Sequence, residues 1–354
     1  VERMDNIIYV DSKSLNSFAI PDDLVREMRS SIILMGAMIS RCNEVIISYP
    51  GGCEIGPRPI DLHLKALKEL GVKIEESHGF LHCKADKLKG CDIQLDYPSV
   101  GATENVILAS VFAEGTTVIR NAAREPEILD LQGYLNKCGA KVSGAGTSII
   151  KIEGVEKFDD VKYRIMSDRI EAGTFMVASS ITGGEVVLKN VEFDHLQAVT
   201  AKLKEAGSLI YNDNTSIKVV GPKGISSIEM IQTSPYPGFP TDMQAQMMSL
   251  LSIANGTSII SETVFENRFK HAEELIRMGA NIKIIGRVAV IKGVKELTGA
   301  KINSRDLRGG ACLVLAGLAA KGETKVDNIH HIERGYENFN LKLKRLGADI
   351  VKAD

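Results

Sequence analysis

The segment Leu67–Ile74, with the sequence LKELGVKI, is the best guide to the fold because related segments occur four more times along the chain. In each copy a helix-like stretch ends at a glycine and a short apolar stretch follows. This pattern is typical of a helix with a left-handed C-terminal cap that leads into a strand. The five glycines follow one another at intervals of 68, 68, 72 and 68 residues: Gly71, Gly139, Gly207, Gly279 and Gly347. This spacing predicts a repeated structural unit of about 70 residues.

A second glycine-containing landmark recurs in register with the first, as AEGTTVI (113–119), TGGEVVL (182–188), ANGTSII (254–260) and AKGETKV (320–326). Together the two landmarks predict that each unit contains a first helix, a strand, a second helix and a β-hairpin. Alternating helices and strands favour an α/β fold, and the hairpins favour mixed sheets over purely parallel ones. The first helices are predicted to start near five polar residues: Asp22, Ser99, Asp168, Thr241 and Asp306.

The predicted first helices are apolar over much of their surface, as in the stretch MQAQMMSLLSIA (243–254). We therefore expect them to be buried and not to lie on the surface. Thr241 with Gln244, and Asp168 with Glu171, have the spacing of a capping box at a helix N-terminus.

Three units per domain would put a domain boundary near residue 166. The first predicted domain, residues 1–166, carries Cys53, the second, residues 167–354, carries Asp242, and a cleft is expected between them. The opening stretch VERMDNIIYVD resembles the hairpins of the other units, although no helix precedes it. We expect five units to be mostly present and a sixth to be largely missing at the N-terminus. The alternative is a natural five-unit protein, which would leave an open sheet edge.

Composition limits the functional classes. Hydrophobic residues make up 44% and charged residues 25%, which excludes a disordered or collagen-like chain. The net charge of −2 argues against a general nucleic-acid binder. The longest apolar runs, 31–39 and 312–320, are too short to span a bilayer, so we expect a soluble cytoplasmic protein with no membrane partner. Neither the six cysteines nor the pair His330–His331 has the spacing of a metal site, and no metal or cofactor is expected.

The loop SYPGGCEIGPRPIDLH (48–63) is the most informative candidate site. Its glycines and prolines specify an irregular loop with Cys53 near its tip, and Arg58 lies five residues further on. A nearby cation favours the thiolate form of a cysteine or an anionic ligand. A buried loop cysteine beside a surface arginine explains the same residues, and the pattern alone does not separate the two interpretations.

Charged residues at predicted helix starts are further candidates. Asp242 could complement the helix dipole or act as a general base. Arg268, Arg308 and Arg334 oppose the dipole, which predicts an anionic partner. That partner could be a carboxylate of the chain, such as Glu266 or Glu333, or a ligand carboxylate or phosphate.

Two sites in the first half have weaker signals. Arg29 could reach a ligand from the first helix, or could lie on a solvated helix face. The segment YPSVGATEN (97–105) could offer backbone N–H groups to a phosphate at a helix start, although capping by Ser99 explains it equally well.

Taken together, PGGCEIGPRPIDLH, SVGAT, NAAREPEI, DRIEAGTF, FPTDMQAQ, ETVFENRF, DLR and ERGYE resemble the UDP-N-acetylglucosamine 1-carboxyvinyltransferases over essentially the whole chain. The resemblance implies two domains, each a threefold βαβαββ arrangement called an inside-out α/β barrel. It implies transfer of the enolpyruvyl group of phosphoenolpyruvate to the 3′-hydroxyl of UDP-N-acetylglucosamine, the first committed step of peptidoglycan synthesis, with release of phosphate.

The resemblance also implies residue roles. Cys53 would donate a proton to the enol carbon and react with fosfomycin, and Asp242 would take the proton of the sugar hydroxyl. Cys53, Arg58 and Arg334 would bind phosphoenolpyruvate. The positions implied to bind UDP-N-acetylglucosamine are Arg29, Arg58, Pro59, Ile60, Asp61, Leu62, Ser99, Val100, Gly101, Asp242 and Val264.

Two departures from the family pattern are present. A Lys-Asn pair near the family's N-terminus has no counterpart in the printed sequence, so we expect this chain to be weakly active or inactive and less stable. Tyr97 stands where some members carry a basic residue, which puts a diphosphate contact there in doubt. The alternatives are a nucleotide-sugar-binding protein with impaired catalysis and, less favoured, a shikimate-phosphate enolpyruvyl transferase, which lacks the PGGC loop and FPTDMQAQ.

Overall fold

The computed structural model describes residues 1–51, 59–213 and 215–353. Their contacts divide the chain into two compact units. Of the described residues, the first unit contains 1–51, Ile60–Ala122 and Leu131–Lys162, and the remainder form the second. The predicted site residues Cys53 and Arg58 lie outside the described residues.

The first unit is built from short strands and helices that alternate along the chain. A 3-10 helix, Arg29–Ile33, lies between the helices Asp22–Glu27 and Leu34–Cys42, and the division between the units falls within the helix Pro126–Lys137. In chain order the elements are β1 (Glu2–Met4), β2 (Ile7–Tyr9), α1 (Asp22–Glu27), α2 (Leu34–Cys42), β3 (Glu44–Ser48), α3 (Asp61–Glu69), β4 (Lys73–Ser77), β5 (Phe80–Lys84), β6 (Asp92–Gln94), α4 (Val100–Ser110), β7 (Thr116–Arg120), α5 (Pro126–Lys137), β8 (Lys141–Ser143) and β9 (Ile149–Glu153).

The second unit repeats the same alternation. Two 3-10 helices, Phe193–Leu196 and Thr241–Met243, lead directly into the helices Gln197–Glu205 and Gln244–Leu251. In chain order the elements are α6 (Arg169–Thr182), β10 (Glu185–Lys189), α7 (Gln197–Glu205), β11 (Leu209–Asp213), β12 (Ser216–Val220), β13 (Met230–Gln232), α8 (Gln244–Leu251), β14 (Thr257–Ser261), α9 (Lys270–Arg277), β15 (Asn281–Ile285), β16 (Val288–Lys292), β17 (Lys301–Asn303), α10 (Leu307–Ala319), β18 (Lys325–Asp327), α11 (His330–Glu333) and α12 (Phe339–Arg345).

The sheets are mixed, as predicted. In the order β6-β7-β9-β8 the first pair is parallel and the other two pairs are antiparallel, and β13-β14-β16-β15 repeats this arrangement. The sheets β3-β5-β4 and β10-β12-β11 contain the antiparallel part of the pattern, whereas β17-β18 contains the parallel part. The motif of about 70 residues that repeats along the chain is therefore βαβαββ.

The five repeated glycines end helices as the sequence predicts. Their φ angles lie between 92° and 105°, a left-handed conformation that side chains other than glycine rarely adopt. In the first four copies a strand follows the glycine, namely β4, β8, β11 and β15. The fifth copy differs, because residues 348–353 form no strand.

Helices fill the centre of the second unit. Every residue of α8 is buried, and α6 and α10, which pack against it and each other, are buried over most of their length. Buried residues alternate with partly or fully exposed ones along the strands β12, β14 and β16, so one face of these strands packs inward. Buried helices surrounded by sheets are the inside-out α/β arrangement expected from the sequence. In the described part of the chain, no helix is long and apolar enough to cross a membrane.

Candidate active site

Asp242 lies in a short 3-10 turn that leads into the buried helix α8. Pro240, in an extended conformation, precedes the turn, and its carbonyl accepts a hydrogen bond from the Met243 amide. A carboxylate in this first turn is favoured by the partial positive charge of the helix N-terminus. The side chain remains 39% exposed although the helix behind it is buried, so the turn holds a carboxylate at the boundary between core and surface.

Two arginines hold this carboxylate. Arg268 Nη2 lies 2.7 Å from Asp242 Oδ1, and Arg308 places Nη2 at 3.2 Å and Nε at 3.3 Å from Oδ2. Both arginine side chains are largely buried, at 5% and 12% exposure. Desolvation opposes ionisation of Asp242, but the charges of Arg308 and Arg268 outweigh it and hold the pKa of the carboxyl well below its usual range. The cluster carries one net positive charge, which favours an anionic ligand.

This pairing decides between the carboxylate partners considered from the sequence. Glu266 pairs with Arg287 at 2.6 Å, and Glu333 pairs with Lys352. Neither supplies the predicted partner of Arg268 or Arg308. The anionic partner of both is Asp242, which the sequence analysis treated as a separate candidate.

A buried polar network supports Arg308 from behind. Its guanidinium lies over the ring of Tyr336, 5.2 Å from the centroid. The Tyr336 hydroxyl lies 2.9 Å from Thr174 Oγ1, and Gln246 Nε2 donates to both oxygens. The N-cap of α10 fixes the backbone, because the carboxylate of Asp306 accepts from the Arg308 amide at 3.1 Å. Tyr336, which the sequence analysis missed, is thus part of the site's support.

Glu262 was also missed. It directly follows β14 and is 1% exposed. Its carboxylate accepts hydrogen bonds from Thr233 Oγ1, Thr241 Oγ1 and the amides of Val264 and Phe265. The capping box predicted for Thr241 and Gln244 is absent and that prediction is wrong, because Thr241 is the first residue of the 3-10 turn, Pro240 stands at the N-cap, and no side chain caps this end. The glutamate at the start of ETVFENRF was the available sequence signal.

A second group of predicted residues comes together in the first unit. Ser99 caps α4, since its Oγ accepts from the Ala102 amide at 3.3 Å. Gly101, two residues on, lies against the His63 ring. Burial, reinforced by the charge of Arg29, lowers the pKa of His63 to about 4, so the imidazole is neutral near pH 7. Arg29, His63 and the start of α4 therefore share one neighbourhood.

Asn105 fixes the geometry of this neighbourhood. Its Nδ2 donates to the Ile32 carbonyl at 2.9 Å and lies 2.7 Å from His63 Nδ1, while its Oδ1 accepts from the Gly36 amide at 2.7 Å. Because Nδ2 is a donor, Nδ1 of the neutral imidazole is the acceptor and Nε2 carries the proton. Arg29 itself begins the 3-10 helix and does not lie in the first helix, because Met28 is extended and interrupts the helix after Glu27.

The remaining predicted residues occupy varied positions. Asp61 begins α3 and is exposed, Val264 is partly buried beside Glu262, and Arg334 is exposed directly after α11. Three further predicted residues flank Asp61: Pro59 is exposed, Ile60 is buried and Leu62 is partly buried. Val100 is the first residue of α4. No group of three potential metal ligands was found within residues 1–51, 59–213 and 215–353.

The sequence and the fold match known proteins. A family model described as EPSP synthase (3-phosphoshikimate 1-carboxyvinyltransferase) matches residues 1–343. The enolpyruvyl transferase NikO from Streptomyces tendae has a TM-score of 0.86 over 96% of this chain and 81% of that chain, at 24% identity. An EPSP synthase from Acinetobacter baumannii has a TM-score of 0.72 over 92% of this chain and 79% of that chain, at 21% identity. The fold is that of the enolpyruvyl transferases.

Curated relatives are more similar in sequence. UDP-N-acetylglucosamine 1-carboxyvinyltransferase 2 of Caldanaerobacter subterraneus subsp. tengcongensis is 56% identical over 98% of this chain and 83% of the relative. UDP-N-acetylglucosamine 1-carboxyvinyltransferase 1 of Symbiobacterium thermophilum is 55% identical over 97% of this chain and 78% of the relative. The chain belongs to the UDP-N-acetylglucosamine 1-carboxyvinyltransferase family. The resemblance found from the motifs is confirmed, and the shikimate-phosphate alternative is less supported.

Proposed function

We propose that this protein transfers the enolpyruvyl group of phosphoenolpyruvate to the 3′-hydroxyl of UDP-N-acetylglucosamine and releases phosphate. Membership of the family supports the reaction. The observation that carries the mechanism is the Asp242 carboxylate held between Arg268 and Arg308 at the edge of the core. This cluster combines a potential proton acceptor with two fixed cations, as transfer from a small anionic substrate to an alcohol requires.

The chemistry needs an acid and a base. Protonation of the methylene carbon of phosphoenolpyruvate builds positive charge on the adjacent carbon, where the sugar oxygen attacks as its proton is removed. Loss of a proton from the new methyl group then expels phosphate and restores the double bond. In our proposal Cys53 donates the first proton and Asp242 accepts the proton of the sugar hydroxyl. Holding both substrates in one geometry lowers the barrier further.

The anionic groups of phosphoenolpyruvate need several cations, and arginine binds carboxylates and phosphates through two parallel hydrogen bonds. We assign Arg58 and Arg334 to this substrate, and we add Arg268 and Arg308, whose charges exceed the single charge of Asp242 by one. A ligand that competes for their N–H groups would also weaken their hold on the carboxylate, which would make Asp242 a stronger base.

The nucleotide sugar is assigned to the residues that the family resemblance implies. Arg29, Asp61 and the start of α4 at Ser99 are the candidates in the first unit. The N-terminus of α4 offers backbone N–H groups, which suit the diphosphate. Asp242 and Val264 are the candidates in the second unit.

The proposed place in metabolism follows from the substrates. Transfer of enolpyruvate to UDP-N-acetylglucosamine would supply peptidoglycan synthesis, and so cell-wall growth and division. We propose a cytoplasmic location because both substrates carry several charges and do not cross a bilayer unaided.

The test is phosphate release from phosphoenolpyruvate in the presence and absence of UDP-N-acetylglucosamine, with shikimate 3-phosphate as the alternative acceptor. We expect release that depends on the nucleotide sugar. Release only with shikimate 3-phosphate would overturn the assignment of the acceptor. Calorimetric binding of UDP-N-acetylglucosamine without turnover would instead favour the binding protein with impaired catalysis. Loss of fosfomycin labelling in Cys53→Ser would support the role of the thiol, and unchanged labelling would contradict it.

A further inference from the structure

Glu262 is an unusual residue for the core of the second unit. It is 1% exposed, yet within the described chain it forms no ion pair. Its carboxylate is compensated only by neutral donors. Oε1 accepts from Thr233 Oγ1 at 2.8 Å and from the Val264 and Phe265 amides at 2.8 and 3.1 Å, and Oε2 accepts from Thr241 Oγ1 at 2.8 Å.

Packing alone does not account for an acid at this position. Burial of a carboxylate without a cation partner is costly, and apolar side chains fill buried space at lower cost. The carboxylate instead offers several acceptor positions directed from one point, which neutral side chains of this size do not match. All four donors lie in loops or at the ends of short elements. Each bond to Glu262 therefore fixes a segment outside the interior of any helix or strand.

The segments joined in this way carry the site. Thr241 immediately precedes Asp242, and Val264 lies on the loop that leads to Arg268. One carboxylate therefore links the turn that bears the proposed base to the loop that bears a guanidinium 2.7 Å from that base.

We propose that Glu262 is a positioning residue, which holds the Thr241–Asp242 turn against the Val264–Arg268 loop so that the Asp242 carboxylate is oriented for proton transfer. The inference rests on the proposed function for its kinetic consequence. Its geometric consequence, the distance between Asp242 and Arg268, is independent of any reaction.

The two threonines that donate to Glu262 provide a matched pair of variants. Thr241→Val removes only the tie to the base turn. Thr233→Val removes a bond of the same length to the same carboxylate, and it also removes the acceptor of the Thr263 amide. A purely structural role predicts the larger effect for Thr233→Val, because that variant loses more bonds. A positioning role predicts the larger catalytic effect for Thr241→Val.

We expect Thr241→Val to lower kcat by about ten- to a hundredfold, since small misplacements of a catalytic group have effects of this size. The KM for UDP-N-acetylglucosamine should change far less. Thr233→Val should lower the melting temperature at least as much but kcat less, and Thr241→Ser, which keeps the hydroxyl, should restore activity. A kcat that follows melting temperature across the three variants would overturn the proposal.

Crystal structures of the two valine variants complete the test. The distance between Asp242 Oδ1 and Arg268 Nη2 should lengthen in Thr241→Val and stay near 2.7 Å in Thr233→Val. An unchanged distance in both variants would overturn the positioning role whether or not the wild-type protein turns over. Absence of turnover in wild type, with the distance lengthened as expected, would contradict the proposed function and not the role of Glu262.

Discussion

Replacement of Asp242 by asparagine removes one negative charge from between two arginines and keeps the size of the side chain. The amide oxygen can accept from only one of the two guanidiniums, and its NH₂ group then faces the donors of the other. Arg268 and Arg308, at 5% and 12% exposure, would be left without an anionic partner. The substitution thus removes both the negative charge that balances the two arginines and the proposed proton acceptor.

The effect on stability follows from burial. Removal of one partner of a fully buried ion pair costs about 3–5 kcal/mol. Because the Asp242 side chain is 39% exposed, water screens part of the interaction, and we expect a loss of about 2–3 kcal/mol. For a unit of this size that loss corresponds to a decrease in Tm of roughly 4–12 °C, measured by calorimetry.

The effect on activity follows from the proposed role. Loss of a general base lowers the rate by about 10²–10⁴-fold, so kcat for phosphate release should fall within this range. Affinity for phosphoenolpyruvate should not weaken, because both guanidiniums become more available to an anion. Equilibrium binding of phosphoenolpyruvate, measured by calorimetry, separates this expectation from general damage to the site.

Asp23→Asn is a matched control. Asp23 lies in the first turn of α1, is exposed and forms no ion pair within the described residues, so its Tm and kcat should stay close to wild type. A kcat within about threefold of wild type for Asp242→Asn would contradict the base role, which predicts at least a hundredfold loss. An unchanged Tm would contradict the stabilising role of the ion pairs.

Three further substitutions test the packing and electrostatics of the two units. His63, whose pKa burial and the charge of Arg29 lower to about 4, stays neutral in the folded state, whereas the unfolded state binds a proton below about pH 6.5. The free energy of unfolding should therefore fall as the pH drops from about 6.5 towards 4. Urea titrations at several pH values should show a weaker pH dependence for His63→Gln, and the same pH dependence as in wild type would contradict the role of His63. Gly36→Ala places a Cβ 2.3 Å from the Asn105 carbonyl oxygen, so the free energy of unfolding in urea should fall by about 1–3 kcal/mol. An unchanged free energy of unfolding would mean that α2 and α4 move apart easily. Tyr336→Phe leaves two buried polar partners, Thr174 and Gln246, without the hydroxyl. We expect the free energy of unfolding in urea to fall by about 1–3 kcal/mol, and an unchanged midpoint would contradict this expectation.

Features set by neighbours in sequence were predictable. The repeated glycines end helices because a left-handed residue is needed within one turn of the last helical residue, and this need is local. Ser99, Asp168 and Asp306 cap helices through bonds to amides two or three residues away. The mixed sheets followed in the same way from hairpins that are short in sequence.

Features set by distant partners were not predictable. Arg268 and Arg308 lie 26 and 66 residues from Asp242, and the sequence offered Glu266 to the first of them at a distance of only two residues. Proximity in sequence favoured the wrong carboxylate, because the turn before α8, the loop before α9 and the start of α10 meet in the folded second unit. Tyr336 was missed for the same reason, since its partner Thr174 is 162 residues away.

Thr241 shows how tertiary structure overrides a correct local pattern. Its spacing to Gln244 fits a capping box, and the cap would contribute about 1 kcal/mol. In the structure the cap position is taken by Pro240, which has no side-chain hydrogen-bonding group, and Thr241 is already the first residue of the turn. Its hydroxyl donates to Glu262, a carboxylate that is 1% exposed, and the loss of a hydrogen bond to a buried carboxylate is costly. The turn that carries Asp242 is thus tied to the core through a bond that no local pattern contains. The comparison of Thr241→Val with Thr233→Val measures the catalytic effect of that bond.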